Sequence, residues 1–295
     1  MQAELVFLQV SVEDGHGVFR GDLDRCQFRI FDNGTLQELA FFDSVDTPAR
    51  VAVLLETSPA VYLIQSQHIA AAYALLDGLS PDDQIALTTY DWSVRVALDF
   101  TSDRNAVIRA LDGTQYFLGM GNLNFYDAVN STLAWLRPTR GKKALVVLST
   151  GLDSSSESRW NALQTELEKT DVSAFTVALG GAIRNFKSKK AAQGPQASFQ
   201  RADVALREIA KTTGGQSYFP ATLDDFVKAY REISAHLSHQ YLMAYIPLSH
   251  DGRLHSIEVQ VVNAQGRVLA ATGGVTGSAN GFRIFSRQSY LSPDK

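Results

Sequence analysis

The chain has 295 residues, which is enough for one large domain or two modest ones with a sizeable core. Its hydrophobic content of 45%, charged content of 20% and formal net charge of −4 describe an ordinary globular protein and argue against a general nucleic-acid binder. Its single cysteine, Cys26, excludes an intrachain disulfide and a cysteine-based metal cluster.

The N-terminal sequence MQAELVFLQV has no basic region followed by a long apolar stretch, so we expect no signal peptide in the chain as given. Residues 57–76 carry no Asp, Glu, Lys or Arg, as a membrane span would. The polar side chains within this stretch make a span costly. We therefore expect a strand-to-helix turn followed by a buried helix, and no transmembrane segment.

The first 48 residues follow a β pattern. Apolar or alternating runs at 5–12, 28–31 and 36–42 predict three short antiparallel strands. The dipeptide Asn33-Gly34 lies between the last two runs, and Asn-Gly is the strongest short-range signal for a hairpin.

From Val51 onward, strands and helices alternate. Apolar runs predict strands at 51–55, 85–90, 94–100, 144–149, 174–179 and 217–219. Helical patterns occupy 61–79, 125–136, 159–169, 202–212 and 223–237. One more helix is predicted to begin after Ser102, its N-cap, and to end at residue 111. This alternation predicts an α/β fold with right-handed crossovers, in which helices cover both faces of a mainly parallel, Rossmann-like sheet.

The β pattern returns after residue 239. Runs at 241–246, 257–262 and 268–271 predict strands. Because β segments flank one α/β block, we expect them to pair in a small β-sandwich that holds both ends of the block. The predicted organisation is an N-terminal β segment (1–48), an α/β domain (49–238) and a C-terminal β segment (239–295) that pairs with the first.

Polar side chains follow two of the predicted parallel strands. The strand at 51–55 runs into Glu56-Thr57-Ser58-Pro59, and the strand at 144–149 runs into Thr150-Gly151-Leu152-Asp153. An open α/β sheet presents its site at the carboxyl ends of its strands. We therefore expect the candidate site at this edge.

The order of motifs along the chain resembles the von Willebrand factor type A (VWFA) domain. The motifs are FRIFDNGTLQELAFF at 28–42, VAVLLETSP at 51–59, PDDQIALTTYD at 81–91, NFYDAV at 124–129, KKALVVLSTGLD at 142–153 and SRQSYLSP at 286–293. The whole chain is similar to a bacterial, acidobacterial-type group of exported VWFA-related proteins. The resemblance implies a periplasmic or secreted location and a non-enzymatic role in protein–protein interaction or adhesion.

The VWFA family holds a divalent cation in a metal-ion-dependent adhesion site built from three loops. The resemblance places Glu56 and Ser58 at the positions of the first-loop Asp and first Ser. Ala60, Leu123 and Thr150 stand where the family has the second Ser, a Thr and an Asp. Too few oxygen donors remain for Mg²⁺, which resists dehydration. We therefore expect a degenerate site with lost or weakened metal dependence and no cofactor.

Two alternatives stay open at this stage. One is metal-dependent adhesion through a modified site that binds Mg²⁺ or Ca²⁺, with ligands drawn from Glu56, Ser58, Asp127 and Asp153. Against this, Asp127 can instead polarise the start of its helix, and Asp153 lies two residues beyond the expected position. The other is a hydrolytic enzyme of unknown type, although residues 149–151 lack the GXSXG elbow.

Two loop regions carry candidate residues for contact with a protein partner. Aromatic, proline and methionine side chains near the top of the sheet are candidate interface anchors: Pro59, Tyr62, Tyr116, Phe117 and Met120. The loop 180–200 concentrates positive charge at Arg184, Lys187, Lys189 and Lys190. That loop is either solvated and disordered or a docking patch for an acidic partner.

Overall fold

A computed structural model of the chain describes residues 5–116, 122–183, 196–272 and 282–294. Within these ranges the strands are β1 (Val6–Glu13), β2 (Phe28–Asp32), β3 (Thr35–Gln37), β4 (Leu39–Asp43), β5 (Ala49–Glu56), β6 (Gln84–Tyr90), β7 (Val94–Thr101), β8 (Lys142–Ser149), β9 (Ser173–Ala178), β10 (Ser217–Tyr218), β11 (Gln240–Tyr245), β12 (Leu254–Val262), β13 (Val268–Ala271), β14 (Arg283–Phe285) and β15 (Ser289–Leu291). The helices are α1 (Pro59–Tyr62), α2 (Gln65–Gly78), α3 (Arg104–Asp112), α4 (Phe125–Leu136), α5 (Trp160–Lys169), α6 (Gln196–Thr213) and α7 (Leu223–Ser238).

Elements β5–β10 and α1–α7 form the α/β domain. Its sheet has the order β10-β9-β8-β5-β6-β7, and only the pairing of β7 with β6 is antiparallel. Every residue of β8 is buried, as is β5 except at Arg50, because helices cover both faces of the parallel strands. Helices α2, α3 and α7 pack on one face, and α4, α5 and α6 pack on the other.

Elements β1–β4 and β11–β15 form the β module. One sheet has the order β14-β1-β11-β4, and the other has the order β13-β12-β2-β3, with β15 pairing to β12. The N-terminal strands therefore pair with the C-terminal ones, β1 with β11 and β2 with β12. The predicted α/β fold with an added β module is confirmed, whereas the domain boundaries at residues 48 and 238 stay a prediction.

Several predicted elements need correction. The described part of the N-terminal segment holds four strands rather than the predicted three, and they are divided between two sheets. The predicted helix at 61–79 is interrupted, because Ile64 leaves the helical conformation (φ −120°, ψ 10°) while its side chain is buried in the core. Asp103 caps α3 in place of Ser102, since its carboxylate accepts hydrogen bonds from the N–H groups of Asn105 and Ala106. The hairpin at Asn33-Gly34 is confirmed, with φ angles of 46° and 78°.

Buried polar groups join the β module to the α/β domain. The side-chain amide of Gln9, on β1, donates to the carbonyls of Lys143 (2.7 Å) and Asp171 (2.8 Å). Lys142 Nζ donates to the carbonyls of Val45 (2.6 Å) and Gln240 (3.1 Å), which lie where the chain passes between the two parts. These contacts satisfy polar groups that burial would otherwise penalise.

An aromatic cage surrounds His236 at the same junction. Its ring centroid lies 4.5 Å from that of Phe19, 4.6 Å from that of Phe285 and 5.6 Å from that of Phe175. Phe19 and Phe285 belong to the β module, while Phe175 belongs to β9 of the α/β domain. Burial, with smaller contributions from neighbouring positive charge, lowers the pKa of His236 to about 4. The imidazole is therefore neutral at physiological pH, and its Nδ1 lies 3.0 Å from Ser11 Oγ.

Candidate site at the carboxyl edge of the parallel sheet

Glu56 is the last residue of β5, and its exposed fraction is 0%. Strand β5 lies between β6 and β8, so Glu56 has the ends of two neighbouring strands beside it. Tyr90, the last residue of β6, is its register partner, and Ser149 ends β8. The carboxyl ends of β5, β6, β8 and β9, called the carboxyl edge below, hold the predicted site.

Hydrogen-bond donors surround the Glu56 carboxylate. Oε1 accepts from Ser58 Oγ at 2.6 Å. Oε2 accepts from the backbone N–H and the Oγ1 hydroxyl of Thr150, at 2.7 and 2.8 Å. The hydroxyls of Ser149 and Tyr90 also lie within bonding distance of Oε2, each at 3.1 Å. Both oxygens of the Glu56 side chain therefore have hydrogen-bond donors from the protein itself.

The hydroxyl groups around Glu56 also contact one another. Tyr90 OH lies 2.7 Å from Ser149 Oγ, which in turn accepts a hydrogen bond from the N–H of Gly151. Burial, reinforced by the Glu56 charge, raises the pKa of Tyr90 well above its usual value. Tyr90 therefore keeps its proton and acts as a donor to this network at all physiological pH values.

The first loop is held by the same residues. Ser58 is the N-cap of α1, and its Oγ lies 3.4 Å from the backbone N of Val61. The hydroxyl of Thr57 donates to the carbonyl of Tyr90 at 3.0 Å. Both contacts fix the position at which α1 begins, so Pro59 occupies the first turn, where its missing N–H costs nothing.

Asp127 and Asp153 make their hydrogen bonds elsewhere. The Asp127 carboxylate accepts from the N–H groups of Glu157 (2.7 Å) and Ser158 (3.0 Å). Although burial opposes the shift, these hydrogen bonds lower the pKa of Asp127. Asp153 Oδ1 accepts from the N–H of Tyr126 at 3.2 Å, so both carboxylates attach the loop after β8 to the start of α4.

The structure thus brings together two of the four candidate metal ligands, Glu56 and Ser58. Within the described ranges, no three His, Cys, Asp or Glu side chains cluster closely enough to share a metal ion.

Apolar side chains are exposed near the carboxyl edge. Tyr62 has an exposed fraction of 43%, and its ring centroid lies 5.8 Å from that of Tyr116, which is half-buried. Pro59 and Leu63 are also exposed, and Trp92, two residues after the end of β6, has an exposed fraction of 58%. The remaining interface candidates lie outside the described residues: Phe117, Met120, Arg184, Lys187, Lys189 and Lys190.

Sequence reasoning missed the partners of Glu56. The motifs do not identify Tyr90, Ser149 or Thr150 as hydrogen-bond partners of Glu56. The signal was nevertheless present, because each ends or directly follows an apolar run that predicts a strand neighbouring β5. Polar residues at the ends of adjacent parallel strands meet at one edge of the sheet.

A mainly parallel sheet with helices on both faces and polar loops at its carboxyl edge defines a Rossmann-like α/β domain. The chain belongs to the von Willebrand factor type A family, since that family's domain matches residues 51–226. The resemblance drawn from the sequence motifs is thereby confirmed at the level of the family, and the degenerate metal site stays a prediction.

Solved structures similar to the chain show low identity. An aerotolerance-related membrane protein from Bacteroides fragilis with multiple mutations to serines is 15% identical, with a TM-score of 0.48, and the match covers 64% of this chain and 98% of that chain. The conserved hypothetical protein BatB from Bacteroides thetaiotaomicron is 16% identical, with a TM-score of 0.46, and the match covers 64% of this chain and 97% of that chain. A von Willebrand factor type A protein from Catenulispora acidiphila is 9% identical, with a TM-score of 0.47, and the match covers 99% of this chain and 74% of that chain. At these sequence identities and TM-scores, the similar structures do not indicate a function for this chain. A search of curated proteins gives no significant match.

The part of the chain that the structure describes contains no helix of the length and apolarity that crossing a bilayer requires.

Proposed function

We propose that the chain is a non-enzymatic protein-interaction domain whose carboxyl edge contacts a protein partner without a bound metal ion. The observation that carries this proposal is the Glu56 carboxylate, which accepts hydrogen bonds from Ser58, Tyr90, Ser149 and Thr150. A cation at this position would have to displace those donors. Mg²⁺ demands near-octahedral oxygen coordination and gives up its own water reluctantly, so the exchange is unfavourable.

Thr150 is the residue that makes the donor set unsuitable for a divalent cation. By the family resemblance it stands where an acidic ligand is expected, and it directs both its N–H and its hydroxyl at Glu56. The N–H can donate a hydrogen bond but cannot coordinate a metal. The one carboxylate at this site already accepts hydrogen bonds on both oxygens, which supports metal independence.

The exposed side chains at the carboxyl edge support a protein partner. Tyr62, Leu63 and Trp92 offer aromatic and aliphatic surface beside polar loops, as the centres of protein interfaces do. A non-enzymatic role is supported by the full burial of Ser149, because a nucleophile needs access to its substrate.

Metal independence is tested by thermal unfolding of metal-stripped protein with and without millimolar Mg²⁺, Ca²⁺ or Mn²⁺. A ligand that binds only the folded state raises the melting temperature, so we expect no ion-specific shift. A shift that disappears in Ser58→Ala or Glu56→Ala would overturn metal independence and support metal-dependent adhesion. Ser58→Ala keeps the carboxylate and so serves if Glu56→Ala fails to fold.

The partner surface is tested with a photo-cross-linking amino acid introduced in vivo at Tyr62 or, as a matched control, at Tyr73. Tyr73 has a similar exposed fraction, 37%, but lies on α2, whereas Tyr62 ends α1. We expect a discrete protein adduct at position 62 and none at 73. Equal labelling at both positions, or none at either, contradicts a partner site at the carboxyl edge.

A location outside the cytoplasm is also part of the proposal, and it rests on the resemblance to exported bacterial VWFA-related proteins. Fractionation of source cells tests it directly. Recovery of the protein with the periplasm or medium is the expected result, and recovery with the cytoplasm contradicts it.

A further inference from the structure

A groove of about 410 Å³ lies between the α/β domain and the β module. Among the described residues, one wall is formed by α6 and by β10 with its flanking residues, and the other by residues 284–286 and 288. Strand β10 is an edge strand of the α/β sheet, and β14 is an edge strand of its own sheet in the β module. Two sheet ends therefore border the same groove.

The open edge of β10 presents backbone groups at Ser217. The carbonyl of the preceding residue, Gln216, accepts a hydrogen bond from the N–H of Thr176 on β9 at 2.9 Å. Successive residues of a strand direct their backbone groups to opposite sides. The N–H and C=O of Ser217 therefore point away from β9, and Ser217 lines the groove.

The open edge of β14 presents backbone groups at Ile284. Its register partner on β1 is Val12, whose carbonyl accepts a hydrogen bond from Arg20 on the opposite side of β1. Antiparallel partners alternate between hydrogen-bonded and non-hydrogen-bonded pairs, so Val12 and Ile284 form a non-hydrogen-bonded pair. The N–H and C=O of Ile284 consequently point away from β1, and Ile284 also lines the groove.

The side chains of the groove favour an acidic occupant. Arg207 and Lys211 are exposed on α6 and line it, with Glu208 as the opposing charge. The Arg207 guanidinium is held 4.0 Å above the ring of Phe219. Ser286 also lines the groove, and its buried Oγ has no hydrogen-bond partner among the described residues.

We propose that this groove binds an extended, acidic peptide segment of a partner protein by strand addition. The peptide backbone bonds Ser217 on β10 and lies against Ile284 on β14, and an Asp or Glu side chain of the peptide meets Arg207 and Lys211. Strand addition gives affinity through main-chain hydrogen bonds and specificity through side-chain pockets. This surface is separate from the carboxyl edge to which the proposed function refers.

The probe is a random dodecapeptide library displayed on phage and selected against the full chain, followed by one enriched peptide made synthetically. We expect enriched sequences that contain Asp or Glu and lack proline at their centre. The double charge reversal Arg207→Glu/Lys211→Glu should lower the affinity of the chain for the peptide by about tenfold or more. Lys228→Glu, an exposed reversal on α7 outside this groove, should leave its affinity unchanged.

Two further measurements separate strand addition from simple charge attraction. Ser217→Pro removes the outward N–H at an edge position where proline is tolerated, and it should abolish peptide binding. Amide hydrogen exchange at Ser217 or Ile284 should slow when the peptide is added to the wild-type chain. If Ser217→Pro does not fold, this exchange measurement decides alone.

Several outcomes overturn the proposal. These are the absence of any enriched peptide, equal binding to the Arg207→Glu/Lys211→Glu variant, or unchanged exchange at both amides. Self-association that is abolished by Ser217→Pro would identify a second copy as the occupant instead. Tyr62→Ala distinguishes this proposal from the proposed function, because loss of the carboxyl-edge partner should leave peptide binding intact.

Discussion

The Glu56 side chain is fully buried. Removing a carboxylate from water costs several kcal/mol unless hydrogen bonds replace its hydration. Thr150 and Ser58 supply the shortest of these bonds, at 2.6 to 2.8 Å. Because the glutamate and its donors lie on the ends of three strands and their loops, this network also fixes the carboxyl edge in one arrangement.

Glu56→Gln tests how much the fold depends on this acceptor. The amide keeps the shape but turns one oxygen into an NH₂ donor, which then faces the N–H and hydroxyl donors around it. We expect the free energy of unfolding to fall by about 2–4 kcal/mol, measured by urea denaturation. Glu38→Gln, at an exposed position, is the control and should change it by less than about 0.5 kcal/mol. Equal effects of the two changes would contradict a role for the network in stability.

His236 makes stability depend on pH. Its pKa in the folded protein, about 4, lies below the ordinary histidine value of 6.5, so between these values only the unfolded chain binds the proton. The contribution of the neutral His236 side chain to the free energy of unfolding is fully present above pH 6.5. It is lost as the pH falls towards 4, and the total loss is about 3 kcal/mol.

The measurement is the free energy of unfolding of wild type and His236→Gln between pH 4 and pH 7. The variant should be less stable at pH 7 but should lose less stability on acidification. His16→Gln, at an exposed histidine, should follow the wild-type slope. Parallel curves for wild type and His236→Gln would contradict the assignment.

The order and type of most elements could be predicted from sequence. Helix α4 has the predicted bounds, because its apolar spacing is regular and Pro138 follows its end. The interruption at Ile64 could not be predicted, since burial of one side chain overrides a continuous helical pattern. The sequence predicts that the N- and C-terminal β segments pair, but it does not identify β11 as the partner of β1, because the two strands lie more than two hundred residues apart.

The candidate site was only partly predictable, for a related reason. Its location followed from strand order, and the changed ligand positions followed from the family motif. The donors to Glu56 depend on how strands align sideways, which a single sequence does not specify. Tyr90 reaches Glu56 only because β6 pairs with β5 in a register that places the two residues side by side.

The contact between α2 and α7 depends on a glycine. A Cβ at Gly78 would lie 2.1 Å from Ser234 Oγ and 2.7 Å from Ser234 Cβ. Gly78→Ala should therefore force the helices apart and destabilise the protein by about 1–3 kcal/mol. Thermal denaturation measures the effect.

Ser234→Gly supplies the matching change, because it removes the atoms that the new methyl group meets. The double variant should be more stable than the sum of the single effects predicts. Additive effects would show that Gly78 is required for another reason.

The β module and the α/β domain share a junction that each needs for its own packing. The module covers His236 and Phe175 with Phe19 and Phe285, and the side-chain amide of Gln9 donates to two carbonyls of the α/β domain. We expect one unfolding transition, with calorimetric and van't Hoff enthalpies that agree. Two resolved calorimetric peaks would contradict this coupling.

The pairing of β1 with β11 has a mechanical consequence. The chain leaves the β module after β4 and returns at β11, so the whole α/β domain lies in a loop that the module closes. Tension on the segments that precede β1 and follow β15 is carried by hydrogen bonds of the module's own sheets. Under load, the carboxyl edge and the helices around it stay mechanically shielded until those sheets rupture.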